Sequence, residues 1–339
     1  MGIQISEIIP RKEILLKDLR NKTIAVDGMN ALYQFLTTIR QVDGTPLMDK
    51  NEKITSHLSG LFYRNLNLIL EGIKLIYVFD GKPPELKAKE IGQRIRSKEI
   101  AKEKYEKSKE EGNNKDMKKY SQQFVKITDA LIKESGELLD AMGIPVVQAI
   151  GEGEGEAACL AKLDMAWGSA SQDYDSLLYG TPRLIRNLTL AKKRKTVSGF
   201  APVSIELVEL ENVINALQIN IDQLICLGIL VGTDYNPGGI KGIGQKRALE
   251  IVKQQKYPVK IFEYIEKSDK YELDFDWQKI YQEFKHPKCL NSYNLTFKKP
   301  DSERIKKILM SRDFSEERID SALNKLKEAK EKGQQTTLF

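Results

Sequence analysis

The sequence predicts an α/β fold: a mostly parallel central sheet flanked by helices, with a basic helical excursion and a largely helical second half. Three observations predict it. Short apolar runs that each end on an acid and a turn recur in "KTIAVDGMN", "IKLIYVFDGKPP" and "MAWGSASQDYDSLL". Helical patterns fill the intervals, as at 55–71 and 128–142, and strands alternating with helices imply parallel pairing. Residues 81–130 are rich in Lys, Glu, Ala and Gln but poor in apolar side chains, so they cannot bury much and should project from the sheet.

Taken in order, one strand covers about 23–26 and ends on Asp27, a second covers 74–79 and ends on Asp80, and a third leads to Asp173 and Asp175. In extended backbone, residues two apart leave on one face, which would aim Asp173 and Asp175 together. Ligands of such sheets bind beyond the carboxyl ends of the strands, where these aspartates fall. Pro83 and Pro84 break the chain after Asp80, and "EEGNNK" at 110–115 divides the excursion into two helical pieces, an arch ordered best by a partner. "GEGEGEAACLAKL" at 151–163 is a glycine loop feeding a helix. Acids favour a helix N-terminus through the macrodipole, but that accounts for one or two of Glu152, Glu154 and Glu156, not all three. "PRLIRNLTL" and "KTVSGFAPVSIEL" are further strands around the basic turn Lys192–Lys195, read as a solvated hairpin.

From about 206 the pattern is helical. A buried helix runs to Gly232, Asp234 sits just past it, and a glycine-rich turn opens another helix with Gln245, Lys246 and Arg247 in its first turn. The glycine spacing does not match a dinucleotide fingerprint and no strand precedes it. A helix–glycine turn–helix that exposes backbone N–H groups is a phosphate cradle indifferent to base identity. A charged helix follows from about 300, then a polar tail ending "QQTTLF".

Composition narrows the function classes. The 339 residues are 41% hydrophobic and 30% charged, as in a globular protein rich in surface charge. The longest apolar run, "LICLGILVG", is far too short to span a bilayer. "MGIQIS" fits the short N-myristoylation pattern, but nothing polybasic follows to supply a second membrane signal. Cys159, Cys226 and Cys289 are isolated, suit a reducing intracellular compartment, and offer neither a disulfide framework nor a zinc site. With only two histidines, proton chemistry falls to carboxylates, lysine or metal-activated water. The net charge is +6, and residues 82–126, with 14 basic against 8 acidic side chains, hold all of that excess. So concentrated a positive field suggests a polyanion, most simply nucleic acid.

Asp27, Asp80, Asp173, Asp175, Asp234 and the glutamates of 151–163 are candidates for one site. Five or more carboxylates converge only if cations neutralise them. Oxygen ligation without Cys or His points to Mg²⁺ or Mn²⁺, and two such ions can activate water and stabilise the leaving oxygen of a phosphodiester.

With these residues assembled, the chain resembles the flap endonucleases, the archaeal and eukaryotic type of structure-specific 5′-nuclease in the XPG/Rad2 superfamily. "AVDGMNALYQFLTTIRQ", "TSHLSGLFYRN", "YVFDGKPPELK", "SQDYDSLLYG" and "GTDYNPGGIKGIG" carry the resemblance, which is nearly collinear over the whole length. It implies a PIN-like nuclease core, a helical arch and a helix–two-turn–helix. It implies that Asp27, Asp80, Asp173, Asp175 and Asp234 bind metal, two Mg²⁺ per subunit with Mn²⁺ as a substitute. Lys87 and Arg94 resemble the basic residues at the arch base that contact the scissile phosphate. Tyr33 resembles the aromatic that stacks on the adjoining base, and Arg40, Thr55 and Arg64 resemble residues that hold the upstream duplex and its 3′ flap. Gly232, Gly242, Gly244, Lys246 and Arg247 fall in the region similar to the helix–two-turn–helix, which grips duplex DNA, often with a potassium ion. At 151–156 the chain departs from the family's Pro-Ser-Glu-x-Glu-Ala. Aligning on the upstream "GIPVVQA" makes Glu152 and Glu154 the metal pair and leaves Glu156 to favour the helix start; aligning on the downstream Glu-Ala-Ala chooses Glu154 and Glu156. Gln335 and Leu338 resemble the first half of a sliding-clamp box, and Phe339 ends the chain before the aromatic pair could occur.

The resulting division is a nuclease region at 1–80, an arch at 81–130, a second nuclease region at 131–235, the helix–two-turn–helix at 236–255, a helical region at 256–330 and a tail at 331–339. The expected activity is cleavage of 5′ flaps with 5′→3′ exonuclease action on nicked or branched DNA, by a monomer with no membrane association. Two rival readings compete with it: a non-catalytic DNA-junction scaffold bound to a sliding clamp, and a small-molecule Mg²⁺ phosphatase suggested by "DYD" after a strand. Neither needs both the acids and the basic arch.

Overall fold

The structure is a computed structural model that describes residues 2–41, 44–82, 84–123, 125–190, 193–196 and 199–335. Seven strands form one sheet: β1 (Lys12–Ile14), β2 (Thr23–Asp27), β3 (Lys74–Phe79), β4 (Val146–Gln148), β5 (Gly168–Ala170), β6 (Arg183–Arg186) and β9 (Ile205–Glu209), in the order β1-β9-β6-β5-β2-β3-β4. β6, β5, β2, β3 and β4 run parallel, whereas β9 joins β6 antiparallel and β1 joins β9 antiparallel. The central β2 and β3 read "TIAVD" and "KLIYVF", near-continuous apolar runs, because both faces of a parallel sheet are covered. A chain that enters the sheet at β2 and β3, leaves for the arch and returns at β4 and β5 builds one core from residues far apart in sequence.

The flanking helices are those the periodicity predicts. Gly28–Thr38 follows β2 directly, Asp129–Ala141 leads to β4, and a continuous helical stretch runs from Ser56 to Leu70 with a wider turn at Gly60–Arg64. Gly60 is required there, since a Cβ would come within 2.3 Å of the Phe35 ring. The arch consists of Ala88–Glu110 and Asn114–Ser121, divided as expected, with the Asn113 side chain capping the second piece. After Ile221–Val231, Gly232 (φ +113°) and Gly239 (φ +56°) back onto each other before Gln245–Gln255 begins at Gly244. The charged C-terminal segment is two helices, Ser302–Met310 and Glu316–Gln335, rather than one.

Three expectations are corrected. The third strand stops at Ala170, Tyr174 is already helical, and Asp175 opens the short helix Asp175–Leu178; Asp173 and Asp175 therefore do not share an extended run. The basic segment is not a turn: Lys193–Thr196 is itself strand β7, paired antiparallel with β8 (Gly199–Pro202). And the cysteines are not all isolated. Cys159 and Cys289 form a disulfide with a Cα–Cα separation of 6.5 Å, while Cys226 is free and buried. Nothing in the spacing could announce a bond between residues 130 positions apart. Closing so long a loop restricts the unfolded chain by about 4–5 kcal/mol in the chain-entropy account.

At Gly239 a Cβ would lie 2.3 Å from the Val231 carbonyl carbon and 2.4 Å from the Leu230 oxygen, in a left-handed backbone. Gly239→Ala should therefore destabilise the protein by about 2–3 kcal/mol in denaturant unfolding. An unchanged midpoint would show that the glycine turn is slack.

Candidate active site

The carboxyl ends of β2 and β3 and the first turn of the Gly153–Lys162 helix meet in one pocket. Asp27, the last residue of β2, caps the next helix by accepting from Asn30 N at 3.0 Å. The Asn30 amide in turn donates to Asp173 at 3.1 Å. Ser171 Oγ stands 2.6 Å from Glu154 and 3.4 Å from Asp27, and Ser176 Oγ is 3.3 Å from Glu154. Asp80 accepts from Gly153 N at 2.7 Å, which ties the end of β3 to the glycine-rich loop. The N-terminal segment threads in from the other side: Gly2 N donates to Asp173 at 3.0 Å and Ile3 N to Asp175 at 2.8 Å. Gly2 is therefore part of the pocket wall, where a Cβ would come 2.5 Å from that of Asp173.

Electrostatics show how crowded the pocket is. Burial first, and then Asp80, Asp173 and Glu152, push the Asp27 carboxyl up to about 8. Burial and Asp234 bring Asp175 up to about 7. Burial with Asp27, Asp175 and Asp173 raises Glu154 well above the usual carboxylate range, and burial raises Asp80. The basic side chains come from the arch base. Lys87 pairs with Glu152 and lies 3.4 Å from Asp234, and Arg94 is 2.9 Å from Asp234. Burial would raise Asp234, yet Lys87, the N-terminal amino group and Arg94 together outweigh it and hold the group below its ordinary value. At Glu152 the balance reverses: burial and Asp80 outweigh Lys87, and the group is raised. Behind Lys87, the Tyr235 ring lies 5.7 Å from the ammonium and its hydroxyl meets that of Tyr179 at 2.6 Å.

All seven acids singled out as metal ligands, Asp27, Asp80, Glu152, Glu154, Asp173, Asp175 and Asp234, thus share one electrostatic neighbourhood, together with Lys87 and Arg94. Glu156 does not. It is fully buried on the far side of its helix and accepts from Leu290 N at 3.1 Å and from the Tyr293 hydroxyl. Its place as a residue that only favours the helix start is corrected: it grips the segment after residue 286. Asn30, Ser171, Ser176 and Gly2 were not foreseen. The small polar residues of "GSASQDYDS" were the available signal, too common in turns to single out.

The other predicted residues lie outside this pocket. Tyr33 is exposed on the Gly28–Thr38 helix. Arg40 donates to the carbonyls of Leu36, Gly44 and Ser121 and to Ser121 Oγ, so its guanidinium ties the helix end to the arch. Thr55 is buried, and Arg64 donates to the Thr189 carbonyl beneath the Phe35 ring. Gly232 and Gly242 are left-handed, Gly244 caps the following helix, Lys246 is exposed, and Arg247 pairs with Glu250 at 2.7 Å. Gln335 ends the last helix; Leu338 and Phe339 lie outside the described residues.

Residues 1–101 match the XPG N-terminal domain and residues 143–234 the XPG I-region, which leaves most of the arch between the two halves. The class is therefore that of the structure-specific nucleases of the XPG type. The structure resembles flap endonuclease-1 from Methanococcus jannaschii with a TM-score of 0.75 at 39% identity, over 97% of this chain and 98% of that one. The catalytic core of Rad2, solved in complex with DNA substrate, shares the fold at 24% identity, with a TM-score of 0.71 over 93% of this chain and 96% of that one. Flap endonuclease 1 of Pyrococcus furiosus is 51% identical over 341 residues, covering 100% of this chain and 98% of its own. The chain belongs to the flap endonuclease 1 family, and it is a structure-specific flap endonuclease; the non-catalytic scaffold finds no support among these relatives.

Raised carboxyls fix the sign of a pH effect. Asp27 and Asp175 bind protons more tightly folded than at their ordinary value of 3.8, so their stabilising contribution is fully present below that value. It is lost as pH rises through 7 to 8. In EDTA the thermal midpoint should fall as pH rises from about 4 to about 8 and level off above that. A midpoint that rises with pH in EDTA would contradict this arrangement.

Proposed function

We propose that the pocket holds two divalent cations, Mg²⁺ with Mn²⁺ as a substitute, and hydrolyses DNA phosphodiesters at the junction of a 5′ flap with duplex, with 5′→3′ exonuclease action on related ends. The observation that carries this reading is that seven carboxylates from positions 27 to 234 crowd one another closely enough to raise Asp27, Asp80, Glu152, Glu154 and Asp175, although Lys87 and Arg94 pair with Glu152 and Asp234. The donor set is all oxygen, which suits Mg²⁺. Among the described residues no three His, Cys, Asp or Glu are already drawn into a metal-holding group. Carboxylates that repel one another close up only around a cation, so open spacing without one is the expected arrangement. Asp27, Asp80, Glu152 and Glu154 would hold one side of the pair and Asp173, Asp175 and Asp234 the other.

When bound, the cations supply an activated water and stabilise the leaving oxygen. The chain's own groups do the rest. Lys87 and Arg94 exchange their contacts with Glu152 and Asp234 for the scissile phosphate and offset its developing charge. The hydrogen bonds of Gly2, Ile3, Asn30 and Gly153 keep the acids aimed at the pocket, so little reorganisation accompanies the reaction. Tyr33, exposed beside the pocket, stacks on the base next to the cut. The turn from Gly232 to Gly244 and the helix behind it, with Lys246 and Arg247, grip duplex phosphates, with a potassium ion in that turn. Arg40, Thr55 and Arg64 serve the upstream duplex by shaping its support, since their side chains are engaged inside the protein. The chain acts as an intracellular monomer in replication and repair, and Gln335, Leu338 and Phe339 contribute to a sliding-clamp contact.

Asp175→Ala and Asp80→Ala should each slow cleavage of a labelled 5′-flap duplex in Mg²⁺ on the order of 10³-fold, with flap affinity in EDTA nearly unchanged. Near-normal turnover would remove these residues from the site. Arg94→Ala should slow single-turnover cleavage by about 10²-fold and weaken binding far less. If affinity falls as much as rate, Arg94 serves binding alone.

A further inference from the structure

The segment after residue 286 has no helix or strand up to Ser302, yet it is fastened at every few residues. Its start lies against the Gly153–Lys162 helix: a Cβ on Gly155 would stand 3.4 Å from Pro287 Cβ. Leu290 N and the Tyr293 hydroxyl both donate to Glu156 Oε1, and Cys289 is bonded to Cys159 one turn further along the same helix. Leu290, Tyr293 and Leu295 pack on the apolar cluster of Ala157, Leu160, Val78 and Val147, which backs the sheet. Its far end is held by Lys298 N donating to the Gly143 carbonyl at 3.2 Å and Asp301 N to that of Ala141 at 2.8 Å. Gly143 is needed for that approach, because a Cβ there would meet the Lys298 carbonyl at 2.2 Å.

The helix fastened this way carries two site acids at its start, Glu154 on the face away from Glu156 and Glu152 at the extended residue just before the first turn. Glu152 is its N-cap and Glu154 lies in its first turn, whereas Glu156 and Cys159 face the strap. Glu156 is a carboxylate with no solvent exposure, and its Oε2 atom has no hydrogen-bond partner. Burying such a group is costly unless its bonds serve a purpose. Helix dipole alone does not require it, since Glu154 already occupies that turn.

We propose that Glu156, with the Cys159–Cys289 bond, is a positioning device for Glu152 and Glu154: it locks the helix to the 287–300 strap so that its first turn presents those two acids at a fixed place in the pocket. Glu156 touches neither substrate nor cation. It acts by holding the helix whose N-terminal end carries the two acids that do. The inference rests on the reading of Glu152 and Glu154 as cation ligands. It also explains why three acids alternate with glycine at 151–156: two face the pocket, and the third faces the strap, over a glycine that lets the strap come close.

The test uses the full chain without DNA and measures Mn²⁺ binding by calorimetry. Glu156→Ala removes the acceptor and should weaken Mn²⁺ binding by roughly 10-fold, the scale seen when a ligand's supporting partner is lost. Glu156→Gln keeps an oxygen for Leu290 and Tyr293 and should stay within about 2-fold of the parent. Tyr293→Phe should fall between them. Reducing the disulfide with dithiothreitol, which breaks the S–S bond to two thiols as the reductant closes to its own disulfide, should weaken binding in the same direction and speed amide exchange at residues 153–156. Flap affinity in EDTA should not move in any of these. A folded Glu156→Ala protein that binds Mn²⁺ like the parent would overturn the proposal. So would a Gln variant as weak as the Ala variant, since the Oε1 acceptor would then not matter. Should Glu156→Ala fail to fold, Tyr293→Phe and the reduced parent decide it, and unchanged Mn²⁺ affinity in both would overturn it. A parent chain that binds no Mn²⁺ at all would instead sink the metal reading itself.

Discussion

Mutual repulsion among seven clustered carboxylates, of which Asp27 and Asp175 are buried, is the constraint around which the rest of the molecule is arranged. Asp27 and Asp175 sit several pH units above their ordinary value, and burial together with their neighbours' charge is the cause. Left to themselves such groups would splay apart or unfold the region. They are held by donors from structure that is separately stable: Asn30 on a capped helix, Gly153 at a helix start, and the amides of Gly2 and Ile3 beside the deeply buried Ile5. The parallel sheet makes this possible, because strands entering side by side deliver their carboxyl ends to one edge.

The arch answers the same charge from outside. Lys87 and Arg94 lie at its base, so the element that handles a polyanion also lowers the repulsion in the pocket when no polyanion is present. On the proposed function, a phosphate entering the pocket would take the place of Glu152 and Asp234 as partner of these two cations. On that same function, the excess basic charge at 82–126 would steer a single strand toward the acid cluster.

What the sequence made legible follows from locality. Asp27 and Asp80 were readable because an apolar run, an acid and a turn are consecutive, and the structure keeps them at strand ends. The helices at 56–70 and 129–141 were readable from periodicity, and the arch from its lack of apolar residues. The failures are all non-local or conformational. Asp173 and Asp175 were found for a wrong reason: the chain turns helical at Tyr174, and the two acids reach the pocket through different donors, Gly2 and Ile3. The basic stretch at 193–196 pairs as a strand because its partner at 199–202 is extended, which charge pattern alone does not reveal. Glu156 and the Cys159–Cys289 bond depend on contacts across 134 and 130 residues with a segment that has no periodicity to read.

The central claim is that these acids gather around divalent cations. Anomalous diffraction from a crystal soaked in Mn²⁺ tests it most directly. The account predicts two peaks about 3.5–4 Å apart, ringed by Asp27, Asp80, Glu152 and Glu154 on one side and by Asp173, Asp175 and Asp234 on the other. Peaks elsewhere on a chain that still cleaves flap DNA, with none between these residues, would contradict it.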